Sequence, residues 1–572
     1  MLRRGPLVVI SVGLVGAVLS VPESGNAQEG QGAVEGIPVT SELVVRNCSR
    51  CHQQDDDGRM SRISYLRKTP EGWSQSIRRM VSLNDVSVDP EDAREIVRYL
   101  ANRHGLAPEE LRPAFWEVER RHLTERPEMS EVVRRTCTAC HTLGRIATQR
   151  RTPEEWELVT ETHRGLYPLI DRQRFRRGSV PEEEGDFEFP VDAAVARLAE
   201  QYPLETRAWS DWSRNMRPAR IEGRWAVRGR EVGRGPLYGT VTVSADGPAR
   251  EDFTTSARYL YPAEDRTVER SGEATVYTGY QWRGSSNGTG GEHTELREVM
   301  FVERDWNEMY GRWFTGAYEE IGVDVEMVRI GSAPVVLGAY PEKAVTGAEE
   351  RIRIFGANLP ESLGAQDVDL GAGVEILGVD EVASDRATLR IRVEEGAPAG
   401  ARDVVIAGAR ADRALVVYEA VDYIRVEPHP AIARTGGGNF APGYARFEAV
   451  GFAVGPDGER DTDDDIRIGV VDASWSLVEY PRTWDDDDVD FVGEIDQDGR
   501  FTPAVDGPNP ERSGLRNNIG EVWVRAEHRR EGAPMSEAPL RARGFLVVSP
   551  PSYIEWEPRA EVVNTIQEGG NR

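Results

Sequence analysis

Two short runs of the chain could hold a redox metal. Cys48-Ser49-Arg50-Cys51-His52 and Cys137-Thr138-Ala139-Cys140-His141 each place two thiols two residues apart, with an imidazole directly after the second. This spacing is the attachment signature of haem c. The thiols add to the vinyl groups and the histidine becomes the proximal iron ligand. Four cysteines could instead form two disulfides in an exported protein, and one such run alone could be a redox dithiol or half a zinc site. All four cysteines of the chain lie in these two runs, however. The sequence therefore predicts two covalently bound haem c groups, one on Cys48 and Cys51 and one on Cys137 and Cys140, with His52 and His141 as iron ligands. No thiol is left for a structural disulfide.

A second repeat locates the opposite side of each iron. Arg67-Lys68-Thr69-Pro70-Glu71-Gly72-Trp73 recurs as Arg150-Arg151-Thr152-Pro153-Glu154-Glu155-Trp156. Seven residues after each tryptophan stand Met80 and His163. Thr69 and Thr152 are expected helix caps, with Pro70 and Pro153 at the first helical position. Helical spacing then puts Trp73, Ile77 and Met80 on one face, and Trp156, Val159 and His163 on another. Met80 lies 28 residues past His52, and His163 lies 22 past His141. The difference falls before the helix, so its register is kept. A methionine on an apolar helix face is commonly core and a lone histidine commonly structural. Their equivalent positions here make Met80 the expected sixth ligand of the first iron and His163 that of the second. Met60, in the polar stretch after Asp55-Asp56-Asp57-Gly58, is a poorer rival; His104 and His122 are better ones.

The elements that must position these groups repeat as well. Ser41 and Ser130 each stand seven residues before a first cysteine and are followed by Glu, which suits a capped helix start. A closing helix is expected from Asp89 past Leu100 to a stop at Gly105, and its counterpart from Val191 through Ala199 to Tyr202-Pro203. Residues 28–205 thus read as an all-α, duplicated di-haem cytochrome c domain.

The chain of 572 residues is long for one core and carries a formal charge of −27. That charge argues against nucleic acid or anionic membrane as a partner and chiefly keeps a protein soluble. Arg3 and Arg4, an apolar Leu7–Val21 and the small residues Gly25-Asn26-Ala27 predict a signal peptide over residues 1–27, cleaved near Ala27, and hence a periplasmic location. An uncleaved anchor is the alternative, and no later segment is a candidate membrane span. Alternating strands predict three antiparallel β domains: a barrel-like one over 210–330, one over 331–420 and a β-sandwich over 421–551, with a tail over 552–572. Arg351–Leu359 resembles the opening of an immunoglobulin-like (IPT/TIG-like) domain. The acidic runs Asp461–Asp465 and Asp485–Asp488 could bind calcium or be solvated loops. Asn287-Gly288-Thr289 is read as a turn.

The order of parts resembles the alpha subunit of quinohemoprotein amine dehydrogenase over essentially the whole mature chain. The resemblance rests on the two Cys-x-x-Cys-His runs, the Thr-Pro-Glu-x-Trp repeats with Met80 and His163, and the final domain around Phe491-Val492-Gly493 and Phe501-Thr502-Pro503. It implies a periplasmic heterotrimer oxidising primary amines, with a β-propeller subunit and a small gamma subunit bearing cysteine tryptophylquinone. This chain would pass electrons to azurin or a soluble cytochrome c. It has no spare cysteine for that quinone, so no catalytic base or nucleophile is assigned to it. The alternatives are a di-haem c-type peroxidase, the cytochrome subunit of another periplasmic dehydrogenase, and a binding module that carries a cytochrome.

Overall fold

The computed structural model describes residues 36–121, 128–138, 141–167, 170, 190–289, 295–315, 321–438, 440–482, 486–530, 532–534 and 536–551. Of the sequence expectations above, Cys140, His122, Asp485, residues 1–35 and the tail from 552 lie outside the described residues.

The N-terminal part is mainly helical: α1 (Glu42–Cys48), α2 (Pro70–Asn84), α3 (Pro90–Arg103), α4 (Pro108–Leu111), α5 (Phe115–Val118), α6 (Glu131–Cys137), α7 (Gly144–Ala147), α8 (Pro153–Leu166), α9 (Pro190–Gln201) and α10 (Arg207–Asn215). Two apolar clusters divide it. One gathers Val44, Met60, Trp73, Ile96, Val97 and Leu100; the other gathers Val133, Leu143, Ile146, Trp156, Ala194 and Leu198.

The all-α expectation needs one correction. Strands β1 (Leu66–Lys68) and β2 (Gln149–Arg151) pair antiparallel, with Arg67 opposite Arg150. The reason is local. Proline disfavours helical backbone in the residue before it, and Thr69 and Thr152 take ψ of 163° and 162°. The chain therefore enters each helix extended, and the two extended entries pair with each other.

The barrel is closed by eight antiparallel strands: β3 (Gly223–Glu231), β4 (Gly235–Asp246), β5 (Asp252–Tyr261), β6 (Arg266–Tyr277), β7 (Gln281–Thr289), β8 (Glu295–Val302), β9 (Glu308–Phe314) and β10 (Gly322–Arg329), with β10 returning to β3. Buried Trp225, Phe253, Trp282, Phe301 and Phe314 fill its core, so it is packed rather than hollow. Leu106, Leu111, Phe115 and Val118 of the helical part join this same core. Asn287-Gly288-Thr289 is not a turn. It ends β7 and pairs with Glu269–Ser271 of β6, because a neighbouring strand supplies the backbone partners that a turn would otherwise provide.

Two four-stranded sheets enclosing Ile352, Leu389, Ile391 and Leu415 follow between Val335 and Tyr418. The last part, from Tyr423 to Ser549, carries sheets of three, four and three strands around Phe447, Phe501, Val522 and Leu546. These parts depart from a purely antiparallel plan. Lys343–Val345 pairs parallel with Ala409–Tyr418, and Ala431–Arg434 with Leu540–Ser549. Each pair joins segments far apart in sequence, so no hairpin imposes the antiparallel sense.

Candidate haem sites

The two repeats build the same local frame. Thr69 Oγ1 accepts from Gly72 N at 3.3 Å, and Thr152 Oγ1 accepts from Glu155 N at 3.2 Å. Trp73 Nε1 donates to His104 O at 3.0 Å, and Trp156 Nε1 to Tyr202 O at 3.2 Å. The same carbonyls accept from Lys68 N and Arg151 N. Each tryptophan thereby ties its helix to the end of the closing helix, α3 or α9. The cysteine-bearing helices differ. Ser41 Oγ caps α1 by accepting from Val44 N, whereas Ser130 makes no side-chain cap on α6.

In the second repeat, Cys137, His141, Trp156, Val159 and His163 line one cavity of about 620 Å3. The rings of His141 and His163 have centroids 6.4 Å apart and planes inclined by 51°. Metal–imidazole bonds of roughly 2 Å, plus about 1 Å from nitrogen to ring centre, separate two rings on one metal by about 6 Å. His141 Nδ1 lies 2.8 Å from Thr142 O, and His163 Nδ1 lies 2.7 Å from Val159 O. Carbonyl partners on Nδ1 fix the tautomer and leave Nε2 as a free lone pair, the usual support for a metal-bound histidine. Burial, followed by the nearby Arg145 and His163, lowers His141 to about 4 against the pull of its carbonyl partner, so the ring is neutral and able to ligate. These residues fit a haem.

In the first repeat His52 has the same kind of backbone support. Its Nδ1 lies 3.0 Å from Ser61 O, and burial lowers its pKa. Cys48, Ile77 and Val81 pack on the first cluster. Burial, with the Cys51 sulfur beside it, pushes the Cys48 thiol up to about 11. Met80 is half-buried on α2, and its Sδ accepts from Asn84 Nδ2 at 3.8 Å. Met60, by contrast, is fully buried among apolar side chains. His104 is also fully buried, and among the described residues neither of its ring nitrogens has a partner. Burial, with Arg67 and Arg103 nearby, lowers it to about 3. It lacks the carbonyl support on Nδ1 that His52, His141 and His163 share.

Sequence reasoning missed the group that joins the repeats. Arg67 and Arg150 both bind the buried Glu110, at 2.7 Å and 3.2 Å. Glu110, the second of two adjacent glutamates in Pro108–Leu111, gives no signal of this; the arginine at the same place in each repeat was the available hint. The acidic runs of the last domain mostly have internal partners. Asp465 accepts from Tyr423 OH at 2.6 Å and Asp487 from Arg512 at 2.8 Å, and Asp488 also binds Arg512. Glu479, Asp486 and Asp488 each bring a carboxylate oxygen within 4.8 Å of the others.

A helical domain with paired histidines lining a cavity is followed by a closed barrel and two β units. Four family models match in order: the haem-binding domain of the quinohemoprotein amine dehydrogenase alpha subunit over residues 39–209, its domain II over 218–330, domain III over 333–419 and domain IV over 424–559. The chain belongs to the quinohemoprotein amine dehydrogenase alpha-subunit family, whose complex is an amine-oxidising oxidoreductase. No curated protein matches it. Among solved structures, a redesigned β-barrel (10% identity, 19% of this chain and 92% of that one, TM-score 0.17) and a designed fluorescence-activating β-barrel (18%, 19% and 93%, 0.16) are similar to it. So is a gamma-CGTase from alkalophilic Bacillus clarkii (10%, 63% and 44%, 0.13). Scores this low carry no argument. Among the described residues no helix is long and apolar enough to cross a membrane.

Proposed function

We propose that this chain is the electron-transfer subunit of a periplasmic quinohemoprotein amine dehydrogenase. It holds two covalently attached haem c groups, on Cys48 and Cys51 and on Cys137 and Cys140. His52 and Met80 are the axial ligands of the first, and His141 and His163 those of the second. Bound haem iron supplies reversible one-electron chemistry. The observation that carries the reading is the 6.4 Å separation of the His141 and His163 rings, each with Nδ1 on a backbone carbonyl, beside Cys137. Two protein ligands on one iron leave no position for an oxidant such as peroxide, which favours electron transfer over peroxidase chemistry.

The electron source is a cysteine tryptophylquinone in a small gamma subunit, accompanied by a β-propeller subunit. The acceptor is azurin or a soluble cytochrome c. The test is isolation of the native complex, with mass spectrometry of each chain and stopped-flow reduction by a primary amine. A cross-linked quinone chain should copurify, and amine should reduce the haems only while that chain is present. Amine oxidation by this chain alone, freed of small peptides, would overturn the reading.

A further inference from the structure

The cavity beside Cys137, His141 and His163 is walled on one side by the first repeat. Helix α2 presents two faces. Trp73, Ile77 and Val81 pack into the first repeat's own cluster. Gly72, Gln75, Arg79 and Ser82, spaced at helical intervals, line the second repeat's cavity.

The charge on this wall is unbalanced. Lys68, Arg78, Arg79, Arg145 and Arg151 line the cavity, against the carboxylates of Glu71 and Glu117. Glu71 is already bound to Arg283 of the barrel, and Glu117 accepts from Thr142 Oγ1 at 2.7 Å. Among the described residues no carboxylate pairs with Arg79, whose polar side-chain contact is Ser76 Oγ at 3.4 Å. Lys68 also has no carboxylate partner there; its Nζ donates to Ser76 Oγ at 2.7 Å and lies 5.4 Å from the Trp73 ring centre. Arg151 reaches Glu155 at 3.5 Å, but Glu155 is held more closely by Arg62 at 2.8 Å. Burial lowers the pKa of Lys68, Arg79 and Arg151; repulsion from Arg151 and Arg79 lowers Lys68 further, that from Arg79 and Arg62 lowers Arg151, and that from Arg145 lowers Arg79. Buried cations in this state call for an anion. A haem brings two propionate carboxylates.

We propose that Lys68 and Arg79 of the first repeat, with Arg151 of the second, bind the propionates of the haem attached at Cys137, so that this cofactor is held by both repeats. The inference rests on the reading that this cavity takes a haem. Guanidinium and ammonium groups fixed on the propionates favour the ferrous state, because they offset negative charge that would otherwise stabilise ferric iron.

The test uses the holoprotein with Arg79→Gln, Lys68→Gln and the charge-conserving Arg79→Lys. Haem content is measured by pyridine haemochrome, and each centre's midpoint potential by titration, with the bis-histidine centre recognised by its ferric EPR signal. Both Gln variants should keep two haems and shift the bis-histidine centre toward the ferric form about tenfold, a fall of roughly 59 mV. Arg79→Lys should stay close to wild type. Lys68→Gln serves alone should Arg79→Gln fail to accumulate. An unchanged bis-histidine midpoint in the Gln variants, or a shift confined to the other centre, overturns the proposal. Failure of the underlying reading shows separately, as no loss of haem on Cys137→Ala with Cys140→Ala.

Discussion

Arg67 and Arg150 stand opposite each other in the β1–β2 ladder and both bind one carboxylate, Glu110. Arg67 makes a two-pronged contact, with Nη1 and Nη2 at 2.7 Å and 2.8 Å from the two oxygens. Equivalent residues of the two repeats thus share one anion, which ties the repeats together.

Glu110→Gln is expected to destabilise the protein by roughly 3–5 kcal/mol, since it leaves two buried guanidiniums without their charge partner. Burial alone would raise the Glu110 pKa, yet hydrogen bonding and charge from Arg67, then Arg150, bring it down to about 2 from 4.5. A depressed pKa adds stability that is complete above the unfolded value and lost as pH falls through the folded one. The wild-type advantage over the variant in urea unfolding should therefore be full at neutral pH and shrink from about pH 4.5 toward 2. An advantage that grows on acidification would refute this assignment.

Replacing Cys48 and Cys51 with Ala should leave one covalent haem, retained by Cys137 and Cys140. Intact mass and haem staining of the denatured chain count it. Undiminished staining would reject attachment at the first pair.

The His141/His163 centre is expected to have the lower potential, and His163→Met to raise it. A thioether favours ferrous iron more than a second imidazole does. The change should be on the order of 100 mV, well inside the roughly 0.8 V that axial ligation spans. Spectroelectrochemistry resolves it. A response from the higher-potential centre alone, or from neither, would mean that His163 is not a ligand and would turn attention to His104 or His122.

Arg283 is fully buried in the barrel and binds Glu71 at the start of α2. Arg283→Met should cost roughly 3–5 kcal/mol because it strands a buried carboxylate. Adding Glu71→Gln should recover part of that loss. A double variant no more stable than the single one would show that the contact does not couple the domains.

The chemistry-bearing residues were legible because spacing carries them: Cys-x-x-Cys-His is a local pattern, and the Thr-Pro start of α2 and α8 is a local cap. What joins them was not legible. Three-residue strands such as Leu66–Lys68 have no alternation to read, and their pairing is decided by a partner more than 80 residues away. Asn287-Gly288 has turn composition, yet β6 holds both residues in a ladder and β8 pairs with Asn287. The cationic face of α2 was hidden for a similar reason. The periodicity of Trp73, Ile77 and Met80 reports the apolar face, while arginine on the other side looks like solvent-facing charge until the second cavity is placed against it.

Leu106, Leu111, Phe115 and Val118 precede the barrel in sequence but belong to its core. Recombination that swapped the helical part for a relative's would therefore remove side chains from inside the barrel as well. The barrel can evolve new loops freely, but it inherits its interior jointly with the electron-carrying half, and the two must drift together.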